Sequence, residues 1–174
     1  MPSMIQCTQK GRLYVSFIAL VACAALFVWV TSEALPNIVA SHFSASGAAN
    51  GFMPREYYVL FMLAIIVVIP IALVVLPNQA ISNPNARINL PNREYWLAPE
   101  RRVETIEFLA RQSVCFATVL LIFLCYAHWL VVRANALTRP VLSTQWFVGG
   151  LVVFLLASLI WVVLLLGRFR NVPH

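Results

Sequence analysis

Two residues near the end of an apolar stretch have the types and spacing of metal ligands. Cys125 and His128 are three positions apart, which would place them on one face of a helix. His42, in a short polar segment, is a third candidate ligand, and Glu33 or Glu56 would add a carboxylate. Local spacing fixes only two of these groups, so a histidine bonded to its neighbours is the simpler interpretation. An enzyme or metal-handling protein using His42, Cys125 and His128 is the alternative that this pattern leaves open.

A second group of ionisable residues combines four glutamates with five arginines between positions 87 and 111. The glutamates are Glu94, Glu100, Glu104 and Glu107. Acid–base catalysis needs positioned groups with a shifted pKa, and nothing in this pattern indicates burial. We interpret the group as a solvated charged face, and we expect no catalytic residue, no cofactor and no enzymatic activity.

The elements that must position these residues are apolar. The chain has 174 residues, of which 61% are hydrophobic and 10% charged, against about a quarter charged in soluble proteins. Four stretches of about twenty residues are long enough to cross a bilayer, at residues 13–32, 57–76, 113–132 and 146–167. The sequence therefore predicts an all-α integral membrane protein, a single domain over residues 1–174 with four transmembrane helices.

The distribution of basic residues predicts how these spans are oriented in the membrane. One side would hold nine of the twelve: Lys10, Arg12, Arg87, Arg93, Arg101, Arg102, Arg111, Arg168 and Arg170; the other would hold Arg55, Arg133 and Arg139. The positive-inside rule then predicts a bacterial cytoplasmic membrane protein with both termini and loop 77–112 in the cytoplasm. An aromatic belt at the outer interface agrees with this orientation: Trp29, Tyr57, Tyr58, Trp129 and Trp146. Because the arginines flank spans, we expect them to contact lipid and not nucleic acid.

The first span has a competing interpretation as a secretory signal peptide. Lys10 and Arg12 precede the apolar run, and residues 32–34 resemble a small-x-small cleavage site. The run is longer than the apolar region of ordinary signal peptides, so we expect a retained span.

The spans contain no Lys, Arg, Asp or Glu near their centres, which argues against a transporter or a proton pump. Pro70 is expected to bend the second span. Small residues in the first and fourth spans predict close contact within the bundle or between copies: Ala19, Ala22, Cys23, Gly149, Gly150 and Ala157. A homo-oligomer and an accessory subunit of a larger membrane complex are therefore both open.

The outer loop, residues 33–56, is the most distinctive segment outside the spans. Turn formers occur at Pro36, Gly47 and Asn50-Gly51. Because Asn-Gly favours a type I′ turn, we expect a small hairpin bracketing residues 39–43 and Phe52.

This loop resembles the bacterial membrane domain of unknown function 1648. The order that carries the resemblance is Leu35, Pro36, His42, Phe43, Gly47, Asn50, Gly51, Phe52 and Arg55. A later segment, residues 88–100, is also similar to one found in this family, and its candidate residues are Asn89, Pro91, Asn92, Tyr95, Trp96 and Pro99.

The resemblance implies a role in binding and not in catalysis. The domain occurs in proteins similar to the SdpI immunity proteins, which protect a bacterium from a secreted peptide toxin and signal by holding a repressor at the membrane. Those proteins have further helices after the domain. We therefore expect a non-enzymatic binding, sensing or immunity-like protein that meets a protein or peptide partner through the outer loop.

The cytoplasmic loop, residues 77–112, divides into two parts. The first contains Pro-Asn at 77–78, 84–85 and 91–92, with Ile81, Ile88 and Tyr95 at equivalent places, which predicts an extended, turn-rich segment. The second predicts an amphipathic helix that begins at Pro99, has a stripe of Val103, Ile106 and Ala110, and pairs Glu107 with Arg111. This helix either continues into the third span or lies on the membrane surface, and Tyr95 and Trp96 are expected to be interfacial anchors.

Overall fold

The architecture is a membrane helix bundle with a β-hairpin at one end. The computed structural model describes the backbone of residues 4–82 and 89–170, and the side chains of residues 11–79 and 89–170. In chain order the elements are α1 (Met4–Ser32), β1 (Ile38–Phe43), β2 (Ala49–Pro54), α2 (Arg55–Ser82), α3 (Arg93–Trp96), α4 (Pro99–Asn135) and α5 (Thr144–Arg170). Among the described residues, four helices are long and apolar enough to span a membrane, which confirms the predicted fold class.

Three of the spanning helices form the core. Helix α1 buries a stripe of Phe17, Val21, Ala24 and Val28; α2 buries Tyr58, Met62, Ile66, Pro70 and Val74; and α4 buries Ala110, Val114, Ala117 and Leu121. Each stripe repeats every three or four residues, the spacing at which side chains share one helix face. The remaining faces are apolar and exposed, because in a membrane they contact lipid.

Helix α5 packs along the outer face of α4. Phe123 stacks on Phe154, with ring centroids 4.7 Å apart, and Phe116 lies 4.8 Å from Trp161. Of the residues of α5, all of which are described, only Phe169 is buried. This helix is therefore peripheral to the bundle.

The small residues that were predicted to form close helix contacts occupy different positions in the structure. Gly150 lies against the ring of Tyr126, where an added Cβ would collide with the ring, so this glycine does allow close helix contact. Ala19, Ala22 and Cys23 instead lie on the exposed face of α1, so the prediction that they form contacts within the bundle is wrong. The helix contacts use Ala24, Ala110 and Ala117, which are buried.

Helix α2 is longer than its apolar pattern suggests. It continues through Pro77 to Ser82, so the prediction that Pro77 ends the span with a turn is wrong. The side chain of Asn78 donates to the carbonyl of Val74, 2.6 Å away, which supports the helix around the proline. The second Pro-Asn pair, at 84–85, and the apolar positions Ile81 and Ile88 lie outside the residues whose side chains are described.

Helix α4 settles the two options for the predicted amphipathic helix. It begins at Pro99, as predicted, and runs without interruption to Asn135, 37 residues in all. The predicted apolar stripe is only partly correct, because Ala110 is buried but Val103 is 57% exposed. Glu107 and Arg111 form no ion pair; within the described part of the chain the ion pair is between Glu104 and Arg168, 2.9 Å apart.

The two ends of the bundle differ. The hairpin end carries residues 33–54 and 136–143, which connect α1 to α2 and α4 to α5. The terminal end carries the start of α1, the end of α5 and residues 89–98 before α4. The candidate residues of the outer loop lie at the hairpin end and those of the segment 89–99 at the terminal end, whereas Cys125 and His128 lie within α4.

Candidate functional site

The hairpin end begins with the buried Leu35. Helix α1 ends at Ser32, and the backbone N–H of Leu35 donates to the Ser32 carbonyl, 3.1 Å away. Leu35 is 3% exposed, whereas Pro36 lies at the surface and starts the extended chain. The guanidinium of Arg55 donates to the Leu35 carbonyl at 3.3 Å and joins this turn to the start of α2.

Strands β1 and β2 form an antiparallel hairpin with one buried and one exposed face. Val39 pairs with Met53 on the face that packs against the bundle, and Val39 is fully buried. Ile38 and Phe52 are 57% and 58% exposed. The hairpin is therefore a fixed element with apolar side chains left open on its outer surface.

The hairpin turns at residues 44–48, where Gly47 has a φ of 85°. Asn50 and Gly51 lie within β2, so the prediction of a type I′ turn at Asn-Gly is wrong. Gly51 pairs with His42 at an irregularity in the register, and a Cβ on Gly51 would lie 2.9 Å from the Cβ of His42. The glycine at 51 thus makes room for His42 and does not form a turn.

The second connection at this end joins the hairpin through an isolated β-bridge. Ala48 forms an isolated bridge with Val141, and the N–H of Leu142 donates to the Gly47 carbonyl at 2.8 Å. The Leu142 carbonyl approaches Gly47 so closely that a side chain there has no space. Because residues 47 and 142 belong to different loops, this contact joins both connections into one surface.

Asn135, the last residue of α4, binds β1 as a neighbouring strand would. Its side-chain carbonyl accepts from the N–H of Ala40 at 2.8 Å, and its amide nitrogen donates to the Ala40 carbonyl at 3.0 Å. The same nitrogen donates to the carbonyl of Val131 at 2.9 Å, so both of its N–H groups are used. Asn135 is 9% exposed, and it fixes the hairpin to the bundle by a buried hydrogen-bonded pair.

His128 lies beneath the hairpin end, fully buried between α1 and α2. Its Nδ1 is 3.0 Å from the Tyr58 hydroxyl, and its Nε2 is 2.9 Å from the Thr31 hydroxyl. Thr31 also donates to the carbonyl of Phe27 at 2.6 Å, which leaves its oxygen to accept from Nε2–H and Nδ1 to accept from Tyr58. The histidine therefore joins three helices. Tyr58, predicted to belong to the aromatic belt, is 3% exposed and lies in the core.

The candidate metal ligands are not brought together. His42 is exposed on the hairpin with its Nδ1 3.1 Å from the Ser41 hydroxyl, whereas both nitrogens of His128 bond to Thr31 and Tyr58. Cys125 is half-buried against the core. Across the described residues, no group of three or more His, Cys, Asp or Glu side chains is placed to hold a metal ion.

At the terminal end, Asn92 and Trp96 bind the end of α5. The Asn92 amide nitrogen donates to the carbonyls of Phe169 and Arg170, each 3.0 Å away, and the indole N–H of Trp96 donates to the Phe169 carbonyl at 3.1 Å. The last carbonyls of a helix lack partners within it, so these side chains supply the missing donors. The Trp96 and Phe169 rings meet edge to face, 5.5 Å apart.

The backbone conformation at Asn92 matches this role. Its φ of 50° is left-handed, which asparagine adopts more readily than most residues. The predicted turn at the third Pro-Asn pair, residues 91–92, is observed here. Trp96, expected to be an interfacial anchor, is instead half-buried against α5, while Tyr95 stacks under Arg101 at 4.0 Å. Asn89 is exposed, and Pro99 is the first residue of α4.

The residues that the sequence did not single out are mainly the ones that connect elements. Asn135, Thr31 and Phe169 are polar or aromatic residues near the ends of apolar helices, which is the signal that could have found them. The bonds of His128 to Thr31 and Tyr58, and of Asn135 to Ala40, join residues 70 to 97 positions apart in the sequence. Local sequence patterns do not reveal such contacts.

Comparison with known proteins supports part of this picture. Residues 18–76 match the family model of the domain of unknown function DUF1648. The matched segment contains most of α1, the hairpin and most of α2, whereas the segment 88–100 lies beyond it. No curated protein and no solved structure matches the chain. The chain is thus a multi-pass membrane protein that is similar to the DUF1648 family over residues 18–76.

Proposed function

We propose that this chain is a non-enzymatic membrane protein that binds a protein or peptide partner through the hairpin end. The observation that carries the proposal is the combination of a fixed hairpin and an exposed apolar surface on it. The inner face is held by Asn135, while Ile38 and Phe52 remain more than half exposed. A surface already ordered in this way loses little conformational entropy when a partner binds.

A cavity beside the hairpin adds to the support for this surface. It has a volume of about 670 Å³ and is lined by Trp129, Arg133, Val141 and Trp146 among others. Val141 belongs to the segment that pairs with Ala48 of the hairpin loop, so the cavity and the hairpin are continuous. Aromatic residues and arginine are the residue types enriched where proteins bind each other most tightly.

Photo-crosslinking in cells tests the proposed partner surface. A photoreactive amino acid at position 52 is expected to yield a discrete protein or peptide adduct, identified by mass spectrometry. The same residue at position 164, where Leu164 is 69% exposed on α5, should yield only lipid adducts. We expect His42→Ala to weaken the adduct at position 52, and Thr138→Ala, at an exposed residue of the same end outside the hairpin, to leave it unchanged. Identical adducts at positions 52 and 164 would contradict the proposal.

The proposal includes an orientation in a bacterial cytoplasmic membrane, with the hairpin end outside the cytoplasm. Nine basic residues on the terminal side against three on the hairpin side support it. Alkaline phosphatase fused after His174 is expected to be inactive because it stays in the cytoplasm, and the same enzyme inserted after Leu137, in the second connection of the hairpin end, should be active. Activity of the fusion after His174 would overturn the orientation.

A further inference from the structure

A cavity of about 440 Å³ opens between the end of α1 and the start of α2. This α1–α2 cavity has an apolar wall, which includes Trp29 and Leu60, and a polar rim formed by Ser32, Glu33, Arg55 and Glu56. Its volume lies in the range of small-molecule sites, roughly 300–1,000 Å³. A cavity with one apolar wall and one charged rim suits an amphipathic ligand.

The polar rim of the cavity offers hydrogen-bond donors to a ligand. Ser32 is 3% exposed, and its hydroxyl has no hydrogen-bond partner among the described residues. Arg55 donates to the Leu35 carbonyl, and within the described part of the chain it forms no ion pair. Arg55 is the first residue of α2, and its own N–H donates to the Asn37 carbonyl at 2.9 Å, so the N–H groups left without a helical partner are those that follow, from Glu56 onward. A guanidinium, a buried hydroxyl and a helix N-terminus together favour a phosphate group.

The rim also contains two carboxylates. Glu33 and Glu56 line the same cavity, and neither has an ion-pair partner in the described residues. With Arg55, these side chains give the rim a net charge of −1, which disfavours a ligand whose only charge is a phosphate. A ligand with both a phosphate and an ammonium group complements the charge of Arg55 and the charges of the two carboxylates. A primary ammonium fits better than a quaternary one because it donates hydrogen bonds to carboxylates.

The apolar wall faces the surrounding membrane. Trp29 and Leu60 are 58% and 66% exposed, and both lie within spanning helices one turn from their ends at Ser32 and Arg55. The rim is therefore placed where the apolar spans end and lipid headgroups begin. A lipid lying there would extend its acyl chains along this wall.

We propose that the α1–α2 cavity binds a phospholipid whose headgroup carries a phosphate and a primary ammonium, of the phosphatidylethanolamine type. Arg55, Ser32 and the N-terminus of α2 bind the phosphate. Glu33 and Glu56 bind the ammonium. Trp29 and Leu60 contact the acyl chains.

Native mass spectrometry of the full chain tests the site. The protein is exposed in detergent to equal amounts of phosphatidylethanolamine, phosphatidylcholine and phosphatidylglycerol, and the lipids that it retains are identified. Phosphatidylethanolamine is expected to predominate. Arg55→Gln should lower its retention about tenfold, because a lost charge-assisted hydrogen bond weakens binding by about that factor. The control Arg139→Gln, at an exposed arginine of the same end, should leave retention unchanged.

A second variant separates binding from folding, since Arg55 also bonds to the Leu35 carbonyl. Replacing both Glu33 and Glu56 by glutamine removes no hydrogen bond of the described structure, so the melting temperature in lipid-free detergent should not change. The preference for phosphatidylethanolamine over the other two lipids should nevertheless disappear. Equal retention of the three lipids by the unmodified protein, or equal losses in Arg55→Gln and Arg139→Gln, would overturn the proposal.

Discussion

Replacing Asn135 by aspartate is expected to lower the free energy of unfolding by about 3 kcal/mol and to loosen the hairpin from the bundle. The aspartate side chain keeps the size of asparagine but cannot donate, so the Ala40 carbonyl loses its partner, while the Val131 carbonyl keeps only the helical N–H of residue 135. A buried acceptor left unpaired costs about 1–3 kcal/mol, and a buried carboxylate beside two carbonyl oxygens adds repulsion. Thermal unfolding in detergent micelles measures the loss.

Hydrogen exchange locates the effect of this substitution. The N–H of Ala40 bonds to Asn135 in the unmodified protein. In the variant, the exchange rate of this N–H should increase more than the exchange rates along the backbone of α4. The control is Asn50→Asp, because Asn50 is exposed on the same hairpin and no hydrogen bond of its side chain is found. If the two variants melt at the same temperature, Asn135 does not anchor the hairpin.

Replacing Trp96 by alanine is expected to cost about 3 kcal/mol and to release the end of α5. The substitution removes the indole N–H that binds the Phe169 carbonyl and the ring that packs against the Phe169 ring. Large-to-small substitutions of buried aromatic residues cost about 3–5 kcal/mol, and Trp96 is only half-buried, so we expect the lower limit. Unfolding in detergent again gives the magnitude.

Two further substitutions divide this cost between packing and hydrogen bonding. Trp96→Phe keeps an aromatic ring but no donor and is expected to cost about 1 kcal/mol. Trp146→Ala, at a tryptophan that is 68% exposed, should change stability by no more than about 0.5 kcal/mol. Hydrogen exchange in the last turn of α5 should rise for Trp96→Ala and stay constant for Trp146→Ala; a reversed order would refute the role of Trp96.

Both predictions concern side chains that connect elements at an end of the bundle. In the membrane interior, lipid and protein are similarly apolar, so apolar burial contributes little to helix association. Specific hydrogen bonds and close packing must then decide how the helices are arranged. Asn135 and Trp96 act in this way at opposite ends, and His128 acts so between α1, α2 and α4.

Much of the fold could be read from the sequence because a bilayer imposes strict requirements on local composition. Ser32 ends α1 where the apolar run ends, and Pro99 starts α4 where a helix start was predicted. The prediction at Pro77 was wrong because a proline inside a long apolar helix removes only one hydrogen bond, and membrane helices tolerate that loss. Asn50-Gly51 was misinterpreted because the same pair of residues suits a turn or an irregular strand position.

The candidate sites were predicted less completely. Leu35, Gly47 and Phe52 were singled out as one motif, yet the structure gives them different positions: buried under the hairpin, in its turn and on its exposed surface. Asn92 and Trp96 were identified, but their contact with α5 depends on a residue more than 70 positions away. Cys125 and His128 were paired by helical spacing alone, and the partners of His128 come from two other helices.

The presence of four membrane-spanning helices follows from the sequence alone, because each must keep about twenty consecutive residues away from water and this requirement is local. The packing of the helices is what allows Asn135 to hold the hairpin, Asn92 and Trp96 to bind the end of α5, and Ser32 and Arg55 to line one cavity. These contacts join residues from different helices. Their formation depends on how the helices pack, which no local pattern of residues specifies.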